Sequence, residues 1–260
     1  MSNYLHDNHT DTLKFVHITD THLLDNAEEN FHSLNTKESL EAVLSHIETS
    51  YPDIDFLLFT GDISQTGSEE SYALFKSVIQ RYELPVFCVP GNHDTPSLLQ
   101  QTVPNCPDES INITQLGQFS LALLNSCVRG EHHGMLSQRC LQQLYEHLHH
   151  SESQFNIIAI HHPPVPVNSS WLDEIALQNQ TELLQVVKKH SDNTLLLFGH
   201  IHQEFDRQID KLRLIATPST CHQFKVNSSI MCLADKSQPA YRYIKLCESN
   251  RIDTKVHYIG

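Results

Sequence analysis

Short apolar runs alternate with amphipathic stretches over the first three-quarters of the chain. KFVHITD (14–20), DFLLFTGD (55–62), PVFCVPGN (85–92), FSLALLNS (119–126), FNIIAIHHP (155–163) and NTLLLFGHIH (193–202) read as strands. Between them, TKESLEAVLSHIETS (36–50), SEESYALFKSVIQRY (68–82), SQRCLQQLYEHLHH (137–150) and TELLQVVKKH (181–190) carry apolar residues at helical spacing. In the first of these Leu40, Val43, Leu44 and Ile47 share one face, with Thr36 as the expected cap. His147, His149 and His150 close the third helix, where imidazoles suit the dipole. Beyond residue 202 helix signals vanish, and RLIATPST, SIMCLAD and PAYRYIKL read as short β runs between turns. The pattern predicts an α/β protein, with a polar tail over 1–13 and one domain over 14–260.

Composition narrows the partners. The chain has 260 residues, 39% of them hydrophobic, enough for one large core. Its 31 acidic and 17 basic residues leave a formal charge of −14, which disfavours nucleic-acid polymers and anionic membranes. A small phosphate-bearing substrate is compatible with that charge if bound cations reverse the field locally. Seven cysteines stand singly without a C-x-x-C pair, which fits a reducing cytoplasm. The N-terminal MSNYLHDNHTDTLKF has no apolar core, and its His6 and His9 resemble a metal clamp in a polar tail. No apolar run approaches the ~18 residues of a membrane span. A soluble cytoplasmic protein, monomeric or homodimeric, is expected.

The chain also holds 19 histidines, and position relative to strand ends separates them. The first strand ends in TDTH, presenting Asp20 and His22. The second ends in TGD with Asp62, and the third delivers Asn92, His93 and Asp94 directly after Pro90-Gly91. IAIHHP exposes His161 and His162, and LFGHIH exposes His200 and His202. These lie at the C-terminal edge of strands, where α/β folds collect ligands. Asp, Asn and His together suit first-row divalent ions, and an extended D-x-H or G-H-x-H segment would point both ligands to one side. Seven candidates exceed the needs of one ion, and a bridging carboxylate would let them serve two ions roughly 3.5–4 Å apart. The remaining histidines, His132 and His133 among them, are assigned structural roles, and Cys88 is assigned to the core.

In this order, D-x-H, G-D, G-N-H-D, H-H-P and G-H-x-H resemble the motifs of the calcineurin-like metallophosphoesterases over about residues 14–220. The resemblance implies a four-layered α/β/β/α sandwich and a two-metal site, with Fe, Mn or Zn as the ions. It implies Asp20, His22, Asp62 and His202 around one ion, and Asp62, Asn92, His161 and His200 around the other. His93 becomes the near-metal histidine held by Asp94, and both are expected to be catalytic. His22, Asn92, His93 and His202 are expected to face the substrate. His162 is left either as a ligand or behind one.

The chain has no G-x-S-x-G elbow and no Walker-type loop, which leaves metal-assisted hydrolysis as the expected chemistry. Two cations would acidify a bridging water and absorb phosphoryl charge, while His93 would protonate the leaving alkoxide. HHPPVPVNSSWLDEIALQN (161–179) and TPSTCHQF (217–224) resemble segments of bacterial class III 3′,5′-cyclic-AMP phosphodiesterases. That likeness implies a cyclic nucleotide as the small-molecule partner, opened to 5′-AMP, with both segments walling the purine and ribose. Other phosphodiesters, such as 2′,3′-cyclic nucleotides or nucleotide pyrophosphates, and a non-catalytic scaffold of the same fold remain as alternatives.

Overall fold

The computed structural model describes residues 12–247 and 251–260; the tail histidines His6 and His9 lie outside them. The apolar runs form strands buried on both faces, as expected where helices cover a largely parallel sheet. In one mixed sheet, β1 (Thr12–Ile18), β2 (Phe56–Thr60) and β3 (Val86–Val89) run parallel. β10 (Ala240–Cys247) and β11 (Ile252–Tyr258) add antiparallel strands beyond β1. In the other sheet, β5 (Phe119–Leu124), β6 (Phe155–Ala159), β7 (Thr194–Phe198) and β9 (Leu212–Ala216) run parallel. β4 (Ile111–Leu116) and β8 (Phe205–Ile209) close its two edges in antiparallel fashion.

Strand alternation divides the core into layers. Phe56 and Leu58 of β2 face inward and meet Leu121, Leu123, Ile157, Leu195 and Leu197 of the opposite sheet. Phe15 stacks on Phe56 in that layer with ring centroids 4.8 Å apart. Their neighbours Leu57 and Phe59 face outward onto α1 (Thr36–Ser50), α2 (Glu69–Ile79) and α3 (Pro96–Thr102). The second sheet likewise packs Ala122, Ile158, Leu196 and Phe198 against α4 (Gln138–His150), α5 (Ser170–Glu174) and α6 (Gln180–Lys188). Two mixed sheets flanked by helices are thus the α/β/β/α sandwich the motifs implied. Among the described residues no helix is long and apolar enough to cross a membrane.

Side-chain caps start α1, α2 and α4, with one correction to the expected cap of α1. Ser68 and Ser137 accept from the amides of Ser71 and Cys140, each at 3.1 Å. α1 is capped by Asn35, whose Oδ1 accepts from Glu38 N at 2.9 Å, so Thr36 is the first helical residue rather than the cap. SIMCLAD forms no strand: one bridge joins Phe224 to Leu233, and Ile230 and Met231 are exposed. Its apolar residues have no sheet edge to join.

His17 is a polar exception inside the inter-sheet layer. It is fully buried, with Nε2 at 2.7 Å from Thr60 Oγ1 and Nδ1 at 2.9 Å from Thr217 Oγ1. Burial, and then the charge of Arg242, push its pKa down to about 3. The unfolded chain takes up this proton near the ordinary pH of ~6.5, so it binds more protons than the native state below that value. The contribution of His17 to stability is therefore complete above about pH 6.5 and falls as the pH drops. In urea unfolding between pH 7 and pH 5, the wild type should lose about 2 kcal/mol more than His17→Gln. Parallel pH profiles for the two proteins would mean that His17 titrates normally.

Candidate metal centre

Three hydrogen bonds carry the β1–β2 pairing past the strand ends. Asp20 N donates to Gly61 O at 3.0 Å, His22 N to Asp62 O at 2.9 Å and Leu23 N to Ile63 O at 3.0 Å. The backbone leaves the extended region as it does so. Asp20, His22, Asp62, His200 and His202 all have positive φ, between 46° and 68°. Non-glycine residues there cost of order 1–3 kcal/mol each and cluster at functional sites. The i, i+2 ligands thus share a side through left-handed residues, not through the pleat that the sequence pattern suggested. Close approach completes the packing. A Cβ on Gly91 would collide with the carboxylate and amide of Asp62, and one on Gly199 would strike Thr19 Oγ1 and Thr60 O.

The two sheets are then stitched together at this edge. Asp20 Oδ2 accepts from Thr19 Oγ1 at 2.6 Å and from the amide of His200 at 3.0 Å. Ser219 Oγ donates to Asp20 O at 2.7 Å, while within the second sheet Gly199 N donates to His161 O at 3.1 Å and continues the β6–β7 pairing. Thr19 and Thr60 open TDTH and TGD, and Ser219 lies in TPSTCHQF, but the motifs give none of the three a role of its own. They are hydroxyl residues at strand ends, and only the folded structure shows which face the site.

All seven candidate ligands converge. His161 Nδ1 donates to Thr60 O at 2.7 Å and His202 Nδ1 to His222 O at 2.6 Å, which turns each Nε2 into the cluster. His22 Nδ1 lies 2.7 Å from Gln65 Oε1, with the same consequence. His22 Nε2 faces His202 Nε2 at 3.2 Å, and Asp20 Oδ1 lies 3.3 Å from the latter with no hydrogen-bond donor of its own. Beside this group His161 Nε2 lies 3.2 Å from Asn92 Oδ1, 3.1 Å from His200 Nδ1 and 3.4 Å from Asp62 Oδ2. Asp62 Oδ2 also reaches His22 Nε2 at 3.8 Å, while its Oδ1 accepts from His93 N at 2.9 Å. Without a proton on His161, lone pair faces lone pair across the group, an arrangement that a shared cation satisfies. Asp20, His22 and His202 form one group able to hold a metal ion, and Asp20, Asp62 and His161 form another.

Charge behaves accordingly. Burial works against protonated His161, yet Asp62, aided by Asp20, lifts its pKa to about 9. Burial opposes ionisation of Asp62 too, but His161 and its imidazole neighbours hold that carboxyl well below its usual range. Burial lowers His22 to about 4.

Two expectations change. Asp94 does not hold His93; His93 Nδ1 donates instead to Gln65 O at 3.0 Å. The Asp94 carboxylate accepts from the amides of Gly91, Ile63 and Ser64 at 2.9, 3.2 and 3.1 Å and from Tyr72 OH at 3.0 Å. It therefore ties the loops after β2 and β3 together and reaches His93 only through them. Burial and the nearby Asp62 raise its pKa to about 6, against those hydrogen bonds. His132, assigned a structural role, borders the site. Its Nδ1 lies 3.5 Å from Asn92 Nδ2, and its carbonyl accepts from His162 Nε2 at 3.2 Å. His162 Nδ1 in turn accepts from Ser126 Oγ at 2.7 Å, so both its nitrogens are occupied by protein.

The W-L-D…L-x-N stretch is structural at several positions. Asp173 Oδ1 accepts from Val167 N at 2.7 Å, and Asn179 exchanges two hydrogen bonds with the Leu136 backbone. Trp171 packs edge-on against Phe224 at 4.9 Å, and Phe224 stacks on the His202 ring at 4.2 Å. An aromatic pair therefore borders the His202 imidazole.

Comparison with known proteins agrees with this geometry. Residues 13–204 match the family model described as calcineurin-like phosphoesterase. A 3′,5′-cyclic-nucleotide phosphodiesterase of Nostoc sp. is 34% identical over 95% of this chain and 92% of its own. The 3′,5′-cyclic adenosine monophosphate phosphodiesterase CpdA of Pseudomonas aeruginosa is 35% identical over 93% and 88%. Its Escherichia coli K12 namesake is 35% identical over 95% and 90%. Among solved structures, a dimetal phosphatase from Danio rerio shares the fold, with a TM-score of 0.71 at 16% identity, over 95% of this chain and 99% of that one.

Because His161 holds a proton at neutral pH, a cation entering beside it must displace that proton. Titrating Mn²⁺ into metal-free protein at pH 7, in buffers of different ionisation enthalpy, should release about one proton per His161 site filled. The affinity should weaken as the pH falls. Proton-neutral binding would contradict the placement of His161.

Proposed function

The chain belongs to the calcineurin-like phosphoesterases, and from that membership we propose that it hydrolyses 3′,5′-cyclic AMP to 5′-AMP at a two-cation site. The observation that carries this reading is the buried cluster in which Asp62 lies between two groups of imidazoles and accepts from the His93 amide. Relatives that align over nearly the whole chain bear the name of 3′,5′-cyclic-nucleotide phosphodiesterases, which supports the substrate.

We assign Asp20, His22, Asp62 and His202 to one ion, and Asp62, Asn92, His161 and His200 to the other, with iron, manganese or zinc as candidates. When bound, such cations lower the pKa of water and neutralise phosphoryl charge. The protein's own groups do the rest. Asn92 turns its Oδ1 inward; one hydrogen of its Nδ2 lies toward His132 Nδ1 at 3.5 Å, and the other can hold a phosphoryl oxygen. His93 rests its Nδ1 proton on Gln65 O, so its Nε2 can carry the proton that the leaving 3′-oxygen needs. As the water oxygen, having given one proton to solvent, bonds to phosphorus, the P–O3′ bond breaks and O3′ takes the Nε2 proton, which leaves His93 neutral with its remaining proton on Nδ1. Phe224 and Trp171 offer an aromatic edge beside His202 for the nucleobase.

His93→Ala should keep both metals by elemental analysis and lose about 10²–10⁴-fold in turnover of cyclic AMP. It should lose much less on a nitrophenyl diester, whose leaving group needs no proton. Equal retention of both activities would remove the proton-donor role. Asp62→Ala should lose bound metal as well as activity. Cyclic AMP should yield 5′-AMP faster than 2′,3′-cyclic AMP or a nucleotide pyrophosphate is cleaved; the reverse preference would point to another diester.

A further inference from the structure

One residue touches both the metal-facing His22 and His93. Gln65 Oε1 lies 2.7 Å from His22 Nδ1, and the main-chain carbonyl of the same residue lies 3.0 Å from His93 Nδ1. The two imidazoles stand edge to face, with centroids 5.0 Å apart. We propose that Gln65 is the positioning residue of the site, setting the tautomer of His22 through its amide and that of His93 through its backbone. This rests on the phosphodiesterase reading above.

An amide oxygen and a carbonyl oxygen only accept, so each ring must place its proton on Nδ1. His22 Nε2 is then turned toward His202 Nε2 and Asp62 Oδ2, at 3.2 and 3.8 Å. Groups behind metal-bound imidazoles act in this way, fixing ring and tautomer. The anchor is itself anchored. Gln65 N donates to Leu23 O at 2.9 Å, and the preceding Ser64 gives its amide to Asp94 Oδ1 at 3.1 Å. Ser64 Oγ accepts from the amides of Thr66 and Gly67 at 3.0 and 2.7 Å, which closes the loop behind Gln65. Asp94 therefore acts on His93 by holding the loop that carries Gln65 O. A neutral amide also fixes His22 without adding a third carboxylate beside Asp20 and Asp62.

The test compares Gln65→Met, which keeps the length and loses the strong acceptor, with Gln65→Glu, which restores an acceptor. Nitrogen-15 spectra of the imidazole rings in metal-free protein read the tautomers directly. The wild type and Gln65→Glu should show His22 protonated at Nδ1, whereas Gln65→Met should show a mixture. Mn²⁺ affinity should drop about 10–100-fold in Gln65→Met and recover in Gln65→Glu. His93 should keep its Nδ1 proton in both, because the carbonyl remains, and lose that preference in Asp94→Asn, where the loop is loosened. If Gln65→Met does not fold, Gln65→Ser, too short to reach His22, takes its place. Unchanged His22 tautomer and metal affinity in the non-accepting variant would overturn the proposal. Failure of the wild type to cleave any phosphodiester would overturn the phosphodiesterase reading alone, since the ring spectra still report on Gln65.

Discussion

Lone pairs repel, and this protein holds many of them together. Asp20 Oδ1, His22 Nε2, His202 Nε2, His161 Nε2, Asn92 Oδ1 and Asp62 Oδ2 occupy one small volume, and each histidine's opposite nitrogen is already engaged by an oxygen. Such a cluster destabilises the fold unless positive charge enters it. In metal-free protein a proton on His161 supplies part of that charge, which is why Asp62 keeps it there. Two cations would supply it in full. The electrostatic frustration of the apoprotein and the affinity for metal are one property seen from two sides.

What holds the cluster in place is the rest of the sandwich. The layer built on Phe15, Phe56, Leu123, Ile157 and Leu197 brings the two sheets face to face, so their parallel strands end at one edge. There the backbone turns left-handed at five of the seven ligand candidates, and Gly91 and Gly199 let neighbouring strands close onto Asp62 and Asp20. Hydrogen bonds from Thr19, Ser219 and the amide of His200 then fix Asp20 from both sheets. Strain at these positions is tolerated because so much packing determines them.

The layers and the polar side chains that gather at the sheet edge were legible in the sequence because both write strong local signals. A strand buried on both faces is an apolar run, and a ligand at its end is a polar residue where the run stops. Edge strands write weaker signals. INITQL, FDRQI and IDTKVHY mix polar and apolar residues because one side meets water, and none was read as a strand. Partners behind the ligands were also hidden. Asp94 follows His93 in the chain, so the sequence pairs them; the turn sends its carboxylate to the Ile63 and Ser64 amides instead. Gln65 and His132 come to the site through loop geometry, which no short motif encodes.

The most direct test of two cations sharing Asp62 is anomalous diffraction from crystals of the protein soaked in Mn²⁺. Two peaks about 4 Å apart are expected, with Asp62 touching both. Asp20, His22 and His202 should lie on one side, and Asn92, His161 and His200 on the other. A single peak, or a pair that leaves Asp62 uncoordinated, would contradict the account.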